Sequence, residues 1–450
     1  MPKRRKSSIG LAIVQALIII LILTVVFTSQ LGANSPNTVL QIMTATPTAT
    51  GTATSTATAT ATMTATATMS ATMTATATAT ATMTATATAT PTATPPSLVT
   101  DLYLPFVIIP DLDALPPPQR VTVDPPLDVD AARADAQAIG RDIALNKIGF
   151  HVGISGNRQG LDVWMQDLDA AGVPIFLKTA NDAEPIYDAQ ELMKVSGVPH
   201  ILVYRDARSQ YDIPRYDLPP KEAAELSWQL NTGIFPPELD PALIWMETTN
   251  EPDKNRSEWL AEFALESAKL AVAEDKKYAA FGWASGEPEP EHWESEAMLE
   301  FLRYAADHPD NVAIAIHEYS YQTEFISNIY PWLVGRFQKL FAVCDKHGIK
   351  RPTILITEWG WEYDHVPTPD EALEDIAWAS WLYAAFPQIK GAGIWYLGHG
   401  DQFGDIHNQA QKLIAPSRDF SLSNYYIIHP GTFPIDESIF VPNPPTSVNR

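Results

Sequence analysis

From residue 148 onward, runs of apolar residues alternate with segments whose apolar positions recur every three or four residues. Eight runs have the length and the β-branched or aromatic content of buried strands: 148–155, 173–180, 199–206, 242–249, 278–285, 311–320, 353–360 and 391–398. Between them lie helical patterns such as "GLDVWMQDLDAAG", "SEWLAEFALESAKLAVAEDKK", "SEAMLEFLRYAADHP" and "IYPWLVGRFQKLFAVCDKHG". Eight strands alternating with helices over about 260 residues predict an α/β fold of the (β/α)8 TIM barrel type. An open, doubly wound sheet is the competing architecture, but no GxGxxG or Walker loop follows the first strand.

The preceding segments obey different rules. Residues 1–8 form a basic head, "MPKRRKSS", and residues 9–31 are an uncharged, mostly apolar run long enough to cross a bilayer. The head should stay in the cytoplasm and send the remainder outside, which predicts a signal anchor or transmembrane helix. Cleavage after Ala33 would instead release the protein. No cysteine follows the run, so a lipoprotein anchor is excluded. Residues 32–96 are dominated by Thr and Ala without the apolar bulk a core needs; they predict a disordered stalk. Residues 97–146 are a proline-rich lead-in with one apolar patch, "LYLPFVII", leaving 147–450 for the barrel. The expected location is extracytoplasmic, tethered to the membrane.

Charge narrows the choice of partner. The chain carries 30 basic and 53 acidic side chains, a formal charge of −23. Four of the basic ones sit in the head, so the remainder is more acidic still. Such a surface repels phosphate backbones, which argues against nucleic acid and for a neutral substrate. The single cysteine, Cys344, allows no internal disulfide and reads as a buried thiol in a helix. The histidines show no HExxH and no paired Cys/His spacing, so no metal or other cofactor is indicated. Nothing points to a protein partner.

In a barrel of this type, function sits where the strands end. Here the third run ends near Arg205, and the fourth leads into Asn250-Glu251-Pro252. The sixth ends in His317-Glu318-Tyr319 and the seventh in Thr357-Glu358-Trp359-Gly360-Trp361; the eighth carries Trp395 and Tyr396. Strand alternation puts Glu247, Thr249 and Glu251 on one face and groups Glu358 with Ile354 and Ile356, taken as the inward face. It also turns His317 and Tyr319 inward and Glu318 toward the helices. Glu251 and Glu358 are then the acids expected to meet across the mouth.

Two carboxylates on one cleft suit retaining glycoside hydrolysis, in which one protonates the leaving oxygen and the other attacks the anomeric carbon, the two lying ~5 Å apart. Asn250 is placed for a sugar hydroxyl, and His317 or Tyr319 for holding Glu358. Trp395 and Trp359, with Trp361, Trp283 and Trp293, lie where indole faces stack on pyranose rings. Seen alone, Asn-Glu-Pro could cap a helix and His317 could be a satisfied core residue. Their joint placement on strands four, six and seven carries the reading.

The runs "E-x-x-N-E-P" (Glu247 to Pro252), "H-x-Y" (His317, Tyr319), "T-E-x-G" (Thr357 to Gly360) and "IWY" (Ile394 to Tyr396) resemble strands four, six, seven and eight of cellulase-like retaining glycoside hydrolases of clan A. The resemblance spans roughly residues 148–415. It implies that Glu251 is the acid/base, Glu358 the nucleophile and Trp395 a sugar platform. Many clan members carry an arginine at the end of strand two; this chain has Lys178 and Asn181 there, and Arg205 on strand three instead. The implied activity is double-displacement cleavage of O-glycosidic, β-configured bonds in an extracellular polysaccharide or oligosaccharide. The open alternative is a catalytically silent glycan-binding or adhesion module on a stalk.

Overall fold

The structure, a computed structural model, describes residues 115–321, 325–399 and 403–440. The basic head, the apolar run, the stalk and the first part of the lead-in lie outside the described residues. Among the described residues, no helix is long and apolar enough to cross a membrane.

Eight parallel strands close into a barrel in the order expected from the alternation. They are β3 (Ile148–Gly153), β4 (Phe176–Ala180), β5 (Ile201–Arg205), β6 (Ile244–Glu247), β7 (Lys277–Trp283), β8 (Val312–Tyr319), β9 (Thr353–Gly360) and β10 (Ile389–Ile394). Closure is made by β10 against β3, with Ala392 opposite Ile148. Helices connect the strands, and one of them opens on a side-chain cap. Ser295 accepts from the Met298 N–H at 3.3 Å to open the helix Glu296–Asp307, whose Met298, Phe301, Leu302 and Ala305 form the buried stripe.

The lead-in has regular structure of its own. β1 (Gln119–Thr122) and β2 (Asp142–Leu145) flank a helix, Val129–Ala138, and both pair with β11 (Asn424–Ile428) in a three-stranded antiparallel sheet. β2 runs almost directly into the start of β3, so this sheet lies at the end of the barrel opposite the strand tips. It is pinned there by Tyr426, Ala144 and Ala384, and by the Trp381 indole donating to Pro118 O at 2.9 Å.

The barrel interior is apolar at the bottom and charged at the top. Phe176, Val203, Trp245, Ala279, Ala313, Ala315 and Leu355 fill the lower layer. Phe176 occupies the space that side chains at Gly391 and Gly393 would take: a Cβ at Gly391 would come within 2.2 Å of its ring. Above this layer the inward positions become His151, Lys178, Arg205, Glu247 and His317, all buried.

One parity expectation is corrected. Leu355, not Ile354 or Ile356, faces the barrel axis. Glu358 nevertheless turns inward, because the ladder slips by one residue between β8 and β9: Ile316 pairs with Ile356, but His317 pairs with Glu358. Thr357 is the extra residue of this bulge. It too points inward, donating to Glu247 Oε1 at 2.8 Å.

Candidate active site

The fourth barrel strand stops at Glu247, and the chain leaves it through Thr248, Thr249 and Asn250 to Glu251. Glu251 has a left-handed backbone, φ 42°, and its N–H donates to Gly282 O at 2.8 Å. Neighbouring strands hold this exit in place: the Thr249 hydroxyl donates to Phe281 O at 2.8 Å. The turn brings Glu251 to the lip of the mouth, with its side chain 34 % exposed, whereas Glu358 is buried below it.

The two acids are brought together. One carboxylate oxygen of Glu251, one of Glu358 and a ring nitrogen of His317 all lie within 4.8 Å of one another. His317 bridges them: its Nδ1 is 3.0 Å from Glu251 Oε1 and 3.6 Å from Glu358 Oε2, and its Nε2 is 3.9 Å from Glu247 Oε1. Burial by itself would depress this imidazole, but Glu358, Glu247 and Glu251 outweigh it and push the ring up to about 9. It is therefore an imidazolium at neutral pH.

Two cations and a neutral imidazole converge on Glu358. Its Oε1 lies 3.1 Å from Lys178 Nζ and 3.2 Å from an Arg205 guanidinium nitrogen, with His151 Nδ1 at 3.7 Å. Its Oε2 accepts from the Tyr319 hydroxyl at 2.8 Å. Burial works to raise this carboxyl, yet His317, Lys178 and Arg205 hold it well below the usual carboxylate range. Glu247 is likewise lowered despite burial, chiefly by Lys178 at 2.7 Å. His151, buried and facing Lys178, is pushed down and remains neutral. Arg205 also binds Asn250 Oδ1, which orients the amide. Asp212, 3.7 Å from the Arg205 Nε, is pushed up to about 6 by burial, partly opposed by Arg205.

Gly282 shows how tightly the buried charges are packed. It has φ 61°, and a Cβ there would lie 2.8 Å from Glu247 Oε1 and 2.9 Å from Thr249 O. Only glycine leaves room for the carboxylate and tolerates that backbone.

Of the aromatic candidates, Trp395 is at the mouth. It is half-buried, stacked on Tyr396 at 3.9 Å between ring centroids, and edge-on to His151 at 5.0 Å. Trp359 is not: it has no exposed surface, because the neighbour of an inward Glu358 points to the outer face of β9, where it packs against Trp361. Trp361 donates its indole N–H to Asp375, and Trp283 packs against Trp293; all three of these tryptophans are buried and offer no face to a sugar. Glu318 points outward as expected, accepting from the Tyr383 hydroxyl at 2.6 Å and from Gly335 N–H at 3.0 Å. His151 and Asp212 were not foreseen. The signal for His151 was a lone imidazole in the apolar run "IGFHVG", at the same parity as Gly149 and Gly153.

Among the described residues, Glu251, His317 and Glu358 are also the carboxylate and imidazole set spaced closely enough to share a metal ion. Their electrostatics oppose it: His317 carries its own proton, and Lys178 and Arg205 already occupy Glu358. The arrangement suits an anionic, compensated carboxylate facing a second carboxyl group at the solvent edge.

No family model matches the chain, and no curated protein matches it. Solved structures do align with it. An endo-β-1,4-glucanase of Xanthomonas axonopodis pv. citri is 13 % identical over 62 % of this chain and 99 % of its own, with a TM-score of 0.35. A Bacteroides ovatus GH5 xyloglucanase, solved with a heptasaccharide, is 13 % identical over 61 % of this chain and 74 % of its own, TM-score 0.32. An endo-β-1,4-glucanase of Bacillus halodurans is 11 % identical over 64 % and 62 %, TM-score 0.36. At these values the likeness adds nothing to what the closed barrel already shows, and the functional reading rests on the site.

Proposed function

We propose that residues 147–450 form a retaining glycoside hydrolase that cleaves β-configured O-glycosidic bonds of a carbohydrate outside the cytoplasm. The observation that carries this reading is the carboxylate pair: oxygens of Glu251 and Glu358, from the tips of β6 and β9, lie within 4.8 Å. Retaining enzymes hold their acids about 5–5.5 Å apart, whereas inverting ones need about 6.5–9.5 Å to admit a water.

The roles follow from the surroundings. Glu358 is ionised, and its charge is held in place by Lys178, Arg205 and the Tyr319 hydroxyl, so it is the nucleophile at the anomeric carbon. Glu251, at the solvent edge and bonded to His317, protonates the departing oxygen. In the second step it takes a proton from the water that releases the sugar from Glu358. Asn250, fixed by Arg205, faces a sugar hydroxyl, and Trp395 carries the ring face. The basic head and apolar run make a membrane tether the preferred location, with release if the run is cleaved. A glycan-binding module has no use for two acids kept at this spacing with one fully charge-compensated.

Replacing Glu358 by Ala and adding azide tests the reading. The variant should lose turnover, and azide should restore part of it by forming a glycosyl azide of inverted configuration. Proton NMR of the wild-type product should show retained configuration. Hydrolysis by Glu358→Ala at the wild-type rate without azide removes the assignment.

A further inference from the structure

Glu251 stands at the solvent edge on a loop whose backbone is held by strained neighbours. In β7 the ladder to β8 shifts register between Phe281 and Trp283. Phe281 and Gly282 both have left-handed backbones there, φ 77° and 61°, and Glu251, bonded to Gly282, has φ 42°. A phenylalanine and a glutamate adopt this region only when their surroundings impose it. The irregular step offers the Phe281 and Gly282 carbonyls to the loop, where they accept from the Thr249 hydroxyl and the Glu251 N–H, both at 2.8 Å.

Beyond Glu251 the same loop is gripped from both sides. On the β5 side the Asp253 N–H donates to the Tyr216 hydroxyl at 3.2 Å, and the Arg256 guanidinium lies 4.7 Å from the centre of that ring. On the β7 side Lys254 Nζ lies 3.2 Å from Glu287 Oε1 and 3.0 Å from Glu289 Oε1. The loop carrying these two acids is fixed in turn by the buried Arg336, which donates to Pro288 O at 2.8 Å and lies 4.0 Å from Glu289 Oε2.

Stability alone is a weak reason for this arrangement. Exposed ion pairs contribute little, and ordering a lysine and two glutamates costs side-chain freedom. A lysine shared by two carboxylates, one of them backed by a buried arginine, is a network, which is where such pairs do restrain a chain. What it restrains is the segment that must aim Glu251 at a leaving oxygen, and a misplacement of about 1 Å can cost about a hundredfold in rate.

We propose that Lys254 is a positioning residue: through Glu287 and Glu289 it holds the Glu251 loop where the carboxyl meets the leaving oxygen and, in the second step, the incoming water. This rests on the glycosidase reading and adds a residue to it.

The test compares wild type, Lys254→Met and Lys254→Arg on matched 2,4-dinitrophenyl and phenyl β-glycosides of glucose, xylose, mannose and cellobiose. Dinitrophenolate departs without a proton, whereas a phenyl leaving group needs one from Glu251. In Lys254→Met, kcat/KM should fall about tenfold or more on the phenyl glycoside and stay within about twofold on the dinitrophenyl glycoside. On the latter, kcat and KM should fall together, because release of the sugar still needs Glu251 as base. Lys254→Arg should recover most of the loss. Joint Glu287→Gln and Glu289→Gln substitution should reproduce the pattern, and Lys254→Met should add nothing to it. Hydrogen exchange of residues 249–256 should be faster in Lys254→Met than in wild type. Equal losses on both leaving groups, or unchanged exchange, overturn the proposal. A wild type that hydrolyses neither glycoside, with no azide rescue of Glu358→Ala, overturns the glycosidase reading and the positioning role with it, while the exchange difference persists.

Discussion

Lys178 and Glu358 meet at 3.1 Å in a part of the barrel where the lysine has no solvent exposure at all. The same ammonium lies 2.7 Å from Glu247, so one cation from the second barrel strand compensates acids from the fourth and the seventh. Removing one partner of a buried pair strands the others, at a cost of about 3–5 kcal/mol. Lys178→Met should lower stability by that order in urea unfolding. Because Lys178 holds Glu358 down, the acid limb of the kcat/KM profile should also move to higher pH. An acid limb that stays where it is would show that Lys178 does not tune Glu358.

Tyr319 donates its hydroxyl to Glu358 at 2.8 Å from a fully buried ring. A hydrogen bond to a charged group contributes about 1.5–3 kcal/mol. Tyr319→Phe keeps the packing and loses the bond, so kcat should fall about ten- to hundredfold. Steady-state kinetics alongside a thermal melt separates this from unfolding.

Glu318 supplies the clearest pH dependence of stability. It is buried on the outer face of β8, and burial pushes it up to about 7, against the hydrogen bonds from Tyr383 and Gly335. The folded protein therefore keeps this proton to higher pH than the unfolded chain does. Stability from this group is full at pH 4.5 and below, and is lost as pH rises toward 7. The loss is about 3 kcal/mol, the free-energy equivalent of the shift. Glu318→Gln cannot ionise, so its stability relative to wild type should improve by that order between pH 4.5 and 7 in denaturant titrations. Parallel curves for the two proteins would count against the assignment.

Gly282→Ala combines two penalties. The backbone at φ 61° disfavours any side chain by about 1–2 kcal/mol, and the new Cβ displaces Glu247 or Thr249. Gly197 is a natural control, since its φ of 78° is similar but nothing lies within 4 Å of its Cβ position. Gly197→Ala should lose only the backbone contribution and keep full activity. Gly282→Ala should lose stability and most activity. Equal effects of the two substitutions would mean that the packing around Glu247 is looser than described.

How much of this was readable in the chain depends on the length of the pattern used. The barrel follows from many short alternations that agree, and small errors at strand ends do not disturb it. Glu251 and Glu358 were legible because each sits in a local cluster of residues with matching chemistry. The direction of individual side chains was less so. Counting alternate residues along β9 put Ile354, Ile356 and Glu358 on one face, and the inward turn of Glu358 came out right only because a one-residue slip at Thr357 cancels the wrong starting parity. Trp359, the next residue after an inward Glu358, is a packed outer-face residue by plain alternation. No residue type announces such a bulge; the pairing partner on β8 decides it. His151 and Asp212 were missed for a related reason, since each becomes part of the site only through neighbours far away in the chain.

The small sheet on the far end of the barrel ties together segments on either side of the barrel in the chain. The Thr122 hydroxyl bonds to the Asn424 side chain across 302 positions, and β10 must reach β3 before the ring of strands is complete. A ribosome-bound fragment thus exposes two bare parallel edges until nearly all of the barrel has emerged, an invitation to pair with other chains. Any product truncated ahead of Ile389 would lack β10 and keep those edges unpaired.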